Sequence, residues 1–227
     1  MNTTQKALAE FIGTLALIFI GVGSVCADQL TNGGVGLVGI ALAHGLTIAV
    51  MVSALGHISG GHFNPAVTFG VWAAKKISTR EALVYWAAQL AGGVAGAGLL
   101  RFPFDDATRQ AVGWGTPALA PHLSSPASGM LVELILTFFL VLVVLGAAID
   151  ERGPFKSVAG FAIGMVITFD ILAGGPVTGA SMNPARWFGP ALWSGLWTSH
   201  WVYTAGPLLG GLLAGLVYSG VYLARCR

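Results

Sequence analysis

Two tripeptides of the same composition, Asn64-Pro65-Ala66 and Asn183-Pro184-Ala185, carry most of the chemistry this sequence offers. Asparagine is a favoured N-cap, and proline fits the first helical turn, where its missing N–H costs nothing, so each tripeptide reads as a helix start. A helix start gathers unpaired backbone N–H groups and the positive end of a dipole worth roughly half a charge. The asparagine side chain can cap the backbone with its oxygen and still point an NH2 group outward. Such a pair donates hydrogen bonds to a polar guest and makes or breaks no covalent bond. Arg186, a permanent cation, follows the second tripeptide where Val67 follows the first. No nucleophile, base and orienting partner can be assembled, which argues against an enzyme. His57 and His62 lie five apart with no Glu or Cys near, so neither a metal nor a cofactor is expected; His62 is expected to brace the helix start beside Asn64. Cys26 and Cys226 are far apart and form no CxxC pair. The GxGxxG match at Gly34-Val35-Gly36-Leu37-Val38-Gly39 opens an apolar helix without a preceding strand and is a decoy.

The elements that hold these residues follow from composition. Of 227 residues, 55% are hydrophobic and 9% charged, against roughly a quarter charged in a soluble domain. The chain therefore reads as a membrane protein with room for six or seven spanning helices and none for a soluble domain. A net charge of +2 without a basic run leaves nucleic acid no electrostatic footprint. Uncharged apolar stretches place spans at 7 to 27, 35 to 56, 82 to 101, 129 to 148, 158 to 175 and 201 to 224. The first carries Glu10 and no A-x-A site behind it, so it is expected to stay as a helix. Lys6, Lys75, Lys76, Arg80, Arg152, Lys156, Arg225 and Arg227 fall on one side, against Arg101, Arg109 and Arg186 on the other. The positive-inside rule then puts both termini of this multi-pass protein in the cytoplasm, and the sequon-like Asn2-Thr3-Thr4 is read as chance. Two further apolar pieces, from His62 to about Ala74 and from Ser181 to about Trp193, are too short to cross, and each contains one Asn-Pro-Ala. A helix start at membrane depth cannot face lipid and must be buried in protein or line a wet cavity.

The two halves of the chain resemble each other. Ala9-Glu10-Phe11-Ile12-Gly13-Thr14 is matched 123 residues later by Val132-Glu133-Leu134-Ile135-Leu136-Thr137, the two Asn-Pro-Ala segments are 119 apart, and Gly92-Gly93 precedes Gly210-Gly211 by 118. Residues 1–227 therefore form one domain of two repeats, about 1–105 and about 125–227. Three spans per half is an odd number, so the second half inserts upside down, and short interrupted segments in matching positions mark the site at the midplane. The two half-helices then dip from opposite faces and meet near the centre, with Glu10 and Glu133 as hydrogen-bond anchors for their loops. GxxxG spacing at Gly92/Gly96 and Gly211/Gly215 indicates close helix packing.

On Ser59-Gly60-Gly61-His62-Phe63-Asn64-Pro65-Ala66-Val67-Thr68 and Gly179-Ala180-Ser181-Met182-Asn183-Pro184-Ala185-Arg186, supported by Glu10 and Glu133, the chain resembles the aquaporin (major intrinsic protein) family over essentially its whole length. The resemblance implies an all-α membrane protein with six transmembrane helices and two re-entrant half-helices in an inverted 3+3 repeat, assembled as a homotetramer in the lipid bilayer. It implies a passive channel that conducts water in single file and excludes protons and ions. At its centre a water would turn its oxygen to the NH2 groups of Asn64 and Asn183, breaking the wire a proton needs. Carbonyls of Gly61, His62, Phe63 and of Ala180, Ser181, Met182, extended before each helix start, would form acceptor ladders opposite apolar walls.

The resemblance also implies a constriction of His44, Ile171, Ala180 and Arg186, similar to tonoplast-type plant aquaporins, some of which also pass ammonia or urea. Arg186 in it would donate to water and repel cations, a barrier known for aquaporin-type channels. Three positions depart from the family pattern: Trp187 stands where water-selective members have a small residue and glycerol channels an aspartate, Thr204 where an aromatic is usual, and Asp170 where tonoplast-type sequences have asparagine. Asp170 is expected either to be paired or to tune His44 or the filter, and His122 to reach the mouth or to be merely solvated. The expected function is water permeation with leakage of small neutral solutes such as ammonia. The alternatives are a glycerol or small-solute facilitator, an ion-coupled secondary transporter using Glu10, Glu133 and Asp170, or a membrane adhesion protein.

Overall fold

A computed structural model describes residues 1–153 and 156–223; Arg225, Cys226 and Arg227, used in the readings above, lie outside the described residues. Nine α-helices occur among them: α1 Thr3–Leu30, α2 Gly36–Ser59, α3 Pro65–Ala73, α4 Thr79–Leu99, α5 Asp106–Ala111, α6 Pro126–Val144, α7 Ala159–Thr178, α8 Pro184–Ser194 and α9 Val202–Val217. α6 and α9 run on as π-helical turns to Ile149 and Leu223. Six elements are long and apolar enough to cross a membrane, built on α1, α2, α4, α6, α7 and α9.

Local chemistry sets the ends of these helices. Asn2 accepts from Gln5 N at 2.9 Å while Gln5 Oε1 accepts from Asn2 N at 3.0 Å, a capping box that uses the sequon-like asparagine to start α1. Ser78 caps α4, so the third span begins before the expected 82, and it ends at Leu99, leaving Arg101 in the following turn. Gly60 and Gly179, at φ +94° and +83°, end α2 and α7 in left-handed turns that only glycine takes without strain. The second and fifth spans consequently reach Ser59 and Thr178, three residues beyond the expected ends. Helix α5 and the single turn Gly113–Gly115 after it have no counterpart in the sequence reading.

The packing repeats between halves. α1 lies against α4 and α2 as α6 lies against α9 and α7, while α2 crosses α7 between the halves. Each half-helix rests on the last span of the other half, α3 on α9 and α8 on α4. The Gly-Gly pairs make this double contact possible. A Cβ on Gly92 would stand 2.4 Å from Phe11 O of α1, and one on Gly93 2.6 Å from Ala185 O of α8. On Gly210 and Gly211 the same atom would stand 2.3 Å from Leu134 O of α6 and 2.4 Å from Ala66 O of α3. One glycine of each pair thus admits the partner span and the next admits the opposite half-helix. Where the halves cross, a Cβ on Gly45 or Gly164 would meet the other's carbonyl oxygen at 2.4 or 2.3 Å. Lipid supplies no hydrophobic drive between helices, so such backbone approach supplies the packing contacts.

On the lysine-rich side, Tyr218 Oη donates to Asp150 Oδ2 at 2.8 Å and Arg152 Nε donates to Asp150 Oδ1 at 2.9 Å, tying the end of α6 to α9. The Arg152 hydrogen bonds hold the Asp150 carboxyl below the usual carboxylate range. A group lowered on folding contributes fully above its unfolded pKa of about 4 and loses that contribution only as pH falls through the depressed value. Asp150→Asn should therefore lower the unfolding temperature in detergent by a similar amount at pH 8 and pH 5; a deficit present at pH 8 and gone at pH 5 would contradict this tie.

Large and small residues compensate between the halves. The Phe63 ring occupies the space above Gly13, where a Cβ would lie 2.1 Å from Cε1. The matching second-half positions hold Met182 and Leu136, both buried in the main core. Gly13→Leu should destabilise the fold by about 1–3 kcal/mol through overpacking. Adding Phe63→Met should recover much of that loss in thermal unfolding, and strict additivity of the two changes would refute the compensation.

Candidate functional site

The two helix starts meet at the centre. Asn64 and Asn183 take extended backbone angles, and their side-chain oxygens accept from Ala66 N at 2.8 Å and Ala185 N at 2.9 Å. Each amide also reaches across the repeat: Asn64 Nδ2 donates to Met182 O at 2.9 Å, and Asn183 Nδ2 donates to Phe63 O at 3.0 Å. An NH2 group has two hydrogens. One of each is therefore spent clasping the opposite loop, and the other is left to serve a guest.

The loops before the helix starts are held from behind by the two buried glutamates. Glu10 accepts from Ser59 Oγ at 2.6 Å, His62 N at 3.0 Å, Phe63 N at 2.6 Å and Gln89 Nε2 at 2.7 Å. Glu133 accepts from Thr178 Oγ1 at 2.7 Å, Ser181 N at 2.9 Å and Met182 N at 2.7 Å. Tyr85 Oη on Ser59 O and Tyr203 Oη on Thr178 O complete the correspondence at 2.6 and 2.9 Å. Charge-assisted bonds contribute about 1.5–3 kcal/mol each and offset the cost of burying a carboxylate. Gathering successive N–H groups on one side requires left-handed residues: Gly61, Phe63, Ala180 and Met182 have φ of +67°, +49°, +42° and +51°. Both segments run without regular secondary structure into their helix starts, with left-handed residues at these positions. The Phe63 and Met182 carbonyls, moreover, already accept from the asparagines.

The four expected constriction residues converge. His44, Ile171, Ala180 and Arg186 border one narrow cavity of about 20 Å³, together with Asn64, Asn183, Ser181, Met182, Leu17, Leu140 and Ile167. That volume is on the scale of a single water, which needs about 10–15 Å³ by this measure. Gly61, His62 and Phe63 do not border it. His62 instead lies, with His57 and Gly60, on a vestibule of about 400 Å³ at the lysine-rich side, its Nδ1 3.0 Å from Thr68 Oγ1. This contact fits the bracing role expected of His62. His44 Nδ1 lies 2.8 Å from Ile40 O, an acceptor, so Nδ1 carries the proton; its buried Nε2 has no partner among the described residues and can accept from a water. Arg186 Nη1 donates to Gly115 O at 2.7 Å.

Two supports of this ring were missed in the sequence. Gly21 makes room for His44, since a Cβ there would stand 2.5 Å from the imidazole Cδ2. The Gly113–Gly115 turn delivers the carbonyl that holds Arg186, and it is fixed by a stack of four groups. Arg109 Cζ sits 4.6 Å over Trp114, whose ring lies 5.7 Å from Trp193 at 14°, and Arg101 Cζ sits 4.3 Å over Trp193. The Gly-Trp-Gly in the connection between the halves was the available signal.

Asp170, Trp187, Thr204 and His122 all lie away from the narrow cavity. Asp170 is buried, its Oδ2 has no hydrogen-bond partner among the described residues, and it does not border the narrow cavity. Trp187 and Thr204 line a separate apolar cavity behind the half-helices with Pro65 and Pro184, away from the constriction. His122 is exposed and does not border the narrow cavity.

Comparison with known proteins agrees with the fold. Residues 1–218 match the family described as Major intrinsic protein. The chain is 46% identical to aquaporin TIP4-4 of Zea mays, covering 97% of this chain and 88% of that one. It is likewise 46% identical to the probable aquaporin TIP2-1 of Oryza sativa subsp. japonica, over 97% and 89%, and 45% identical to the probable aquaporin TIP3-2 of Arabidopsis thaliana, over 96% and 83%. Its fold superposes on the X-ray structure of the aquaglyceroporin from Plasmodium falciparum with a TM-score of 0.88 at 24% identity, covering 99% and 98% of the two chains. The chain belongs to the major intrinsic protein (aquaporin) family.

Replacing Gly21 by Ala should push the His44 ring into the cavity and lower water permeability several-fold while the folded protein persists in detergent. Unchanged permeability would show that Gly21 does not set the ring. Glu133→Gln, which keeps shape and removes charge, should cost on the order of 2 kcal/mol of stability.

Proposed function

We propose that this protein is a passive channel that conducts water in single file and also lets ammonia through. The observation that carries the reading is the cavity of about 20 Å³ shared by His44, Ile171, Ala180, Arg186 and both capping asparagines. Arg186 donates to passing water and repels cations, with the helix-start dipoles adding positive potential, the barrier known for aquaporin-type channels. Each asparagine offers its remaining amide hydrogen to the water oxygen at the centre, turning that water's hydrogens toward the exits. Leu17, Leu140 and Ile167 leave the file weakly held. His44 Nε2 supplies the acceptor that a donor such as water or ammonia needs, and the side chains of Ile171 and Ala180 add no competing polar group.

The same reading makes Glu10 and Glu133 structural, since their oxygens are taken up by the re-entrant loops. That argues against a transporter that would use them as proton carriers. Both termini lie in the cytoplasm, by the lysine-rich side, and the assembly is a homotetramer with one pore per subunit, as the family resemblance implies.

Stopped-flow light scattering on proteoliposomes tests the proposal. Water flux should be linear in the osmotic gradient and need no ion gradient, and ammonia flux should exceed that of protein-free vesicles. His44→Phe combined with Ile171→His should suppress ammonia flux and spare water. Flux that requires an ion gradient would favour a coupled transporter, and ammonia flux equal to that of lipid alone would remove the second substrate.

A further inference from the structure

Outside the pore, α4 and α8 leave an open groove of about 650 Å³, walled by Leu90, Val94, Leu99, Phe102, Phe188 and Trp193. The indole of Trp193 is fixed there by donating Nε1 to Val94 O at 2.9 Å. Arg101 closes one end of the groove. Its Nε donates to Gly98 O at 3.1 Å and its guanidinium lies on the Trp193 ring. Its two terminal nitrogens make no hydrogen bond to any described residue, and the residue is exposed. A guanidinium held in one orientation with both terminal NH2 groups free is preorganised for bidentate contact with a phosphate.

Depth agrees with that chemistry. Leu90 to Leu99 rises about 14 Å, close to half of a hydrocarbon core of about 30 Å, so an acyl chain lying in the groove would put its headgroup beside Arg101. From the free guanidinium at the end of an apolar groove of this length, we infer that the α4–α8 groove is a site for an anionic phospholipid of the leaflet opposite the lysine-rich side. The acyl chain lies along Val94 and Phe188, and the phosphate on Arg101. The partner is a lipid because the groove and the cation are continuous: a soluble anion would leave the apolar wall unused, and a second copy of the chain would leave the guanidinium unpaired.

The full-length protein in mild detergent can be titrated with dioleoyl phosphatidylglycerol, dioleoyl phosphatidylcholine or inorganic phosphate, with bound lipid counted by native mass spectrometry. Wild type should retain phosphatidylglycerol about fivefold better than phosphatidylcholine, the preference one interfacial arginine supplies. Arg101→Gln should remove the preference, and Ala91→Trp, which fills the groove, should reduce retention of both lipids. Thermal unfolding of each variant shows that it is folded. The site is overturned if Arg101→Gln keeps the preference, if inorganic phosphate raises the unfolding temperature as much as phosphatidylglycerol does, or if Leu99→Cys forms a disulfide-linked dimer in the bilayer.

Discussion

The constraint on which this molecule depends is that two helix starts lie at membrane depth, where an unpaired backbone group costs several kcal/mol. The clasp of Asn64 on Met182 O and Asn183 on Phe63 O answers it. Each asparagine caps its own helix, ties down the loop of the other half and keeps one amide hydrogen in reserve. Structural and functional roles are therefore shared by the same side chain through different atoms, so that neither excludes the other.

Everything around the clasp serves to bring the two starts together and hold them. The Gly-Gly pairs let each half-helix lie on the last span of the opposite half, so neither half can complete its centre alone. Glu10 and Glu133 pin the loops by their N–H groups, and left-handed residues turn those groups to one side. The pore's selectivity elements are added asymmetrically on this symmetric frame: Arg186 appears in one half only, and its guanidinium is held by a carbonyl from the connection between the halves.

Much of this was legible in the sequence, because buried groups in lipid have few ways to be satisfied. Uncharged apolar stretches gave the six spans; the two tripeptides, the glutamates and the Gly-Gly pairs recur at nearly one offset and gave the inverted repeat; the four residues that converge on the cavity came from the family resemblance. Tyr85 and Tyr203, and Ser59 and Thr178, recur at the same offsets and could have been found the same way. What escaped depends on backbone direction. The left-handed angles at Phe63, Ala180 and Met182 occur at non-glycine residues, so no residue type announced them. The hold of Gly115 on Arg186 joins positions 71 apart without a counterpart in the repeat. Asp170 could not be assigned one role from the sequence, because an acid in a span can be paired or can tune a neighbour; its Oδ2 has no partner among the described residues.

The central claim is that the two clasped asparagines share one wet passage. An electron cryomicroscopy map of the protein in lipid nanodiscs, sharp enough to show ordered water, tests it most directly. The account predicts a water within hydrogen-bonding distance of both Asn64 Nδ2 and Asn183 Nδ2, in a continuous file past His44 and Arg186. A dry junction between the half-helices, with both amides wholly satisfied by protein and no water between them, would contradict it.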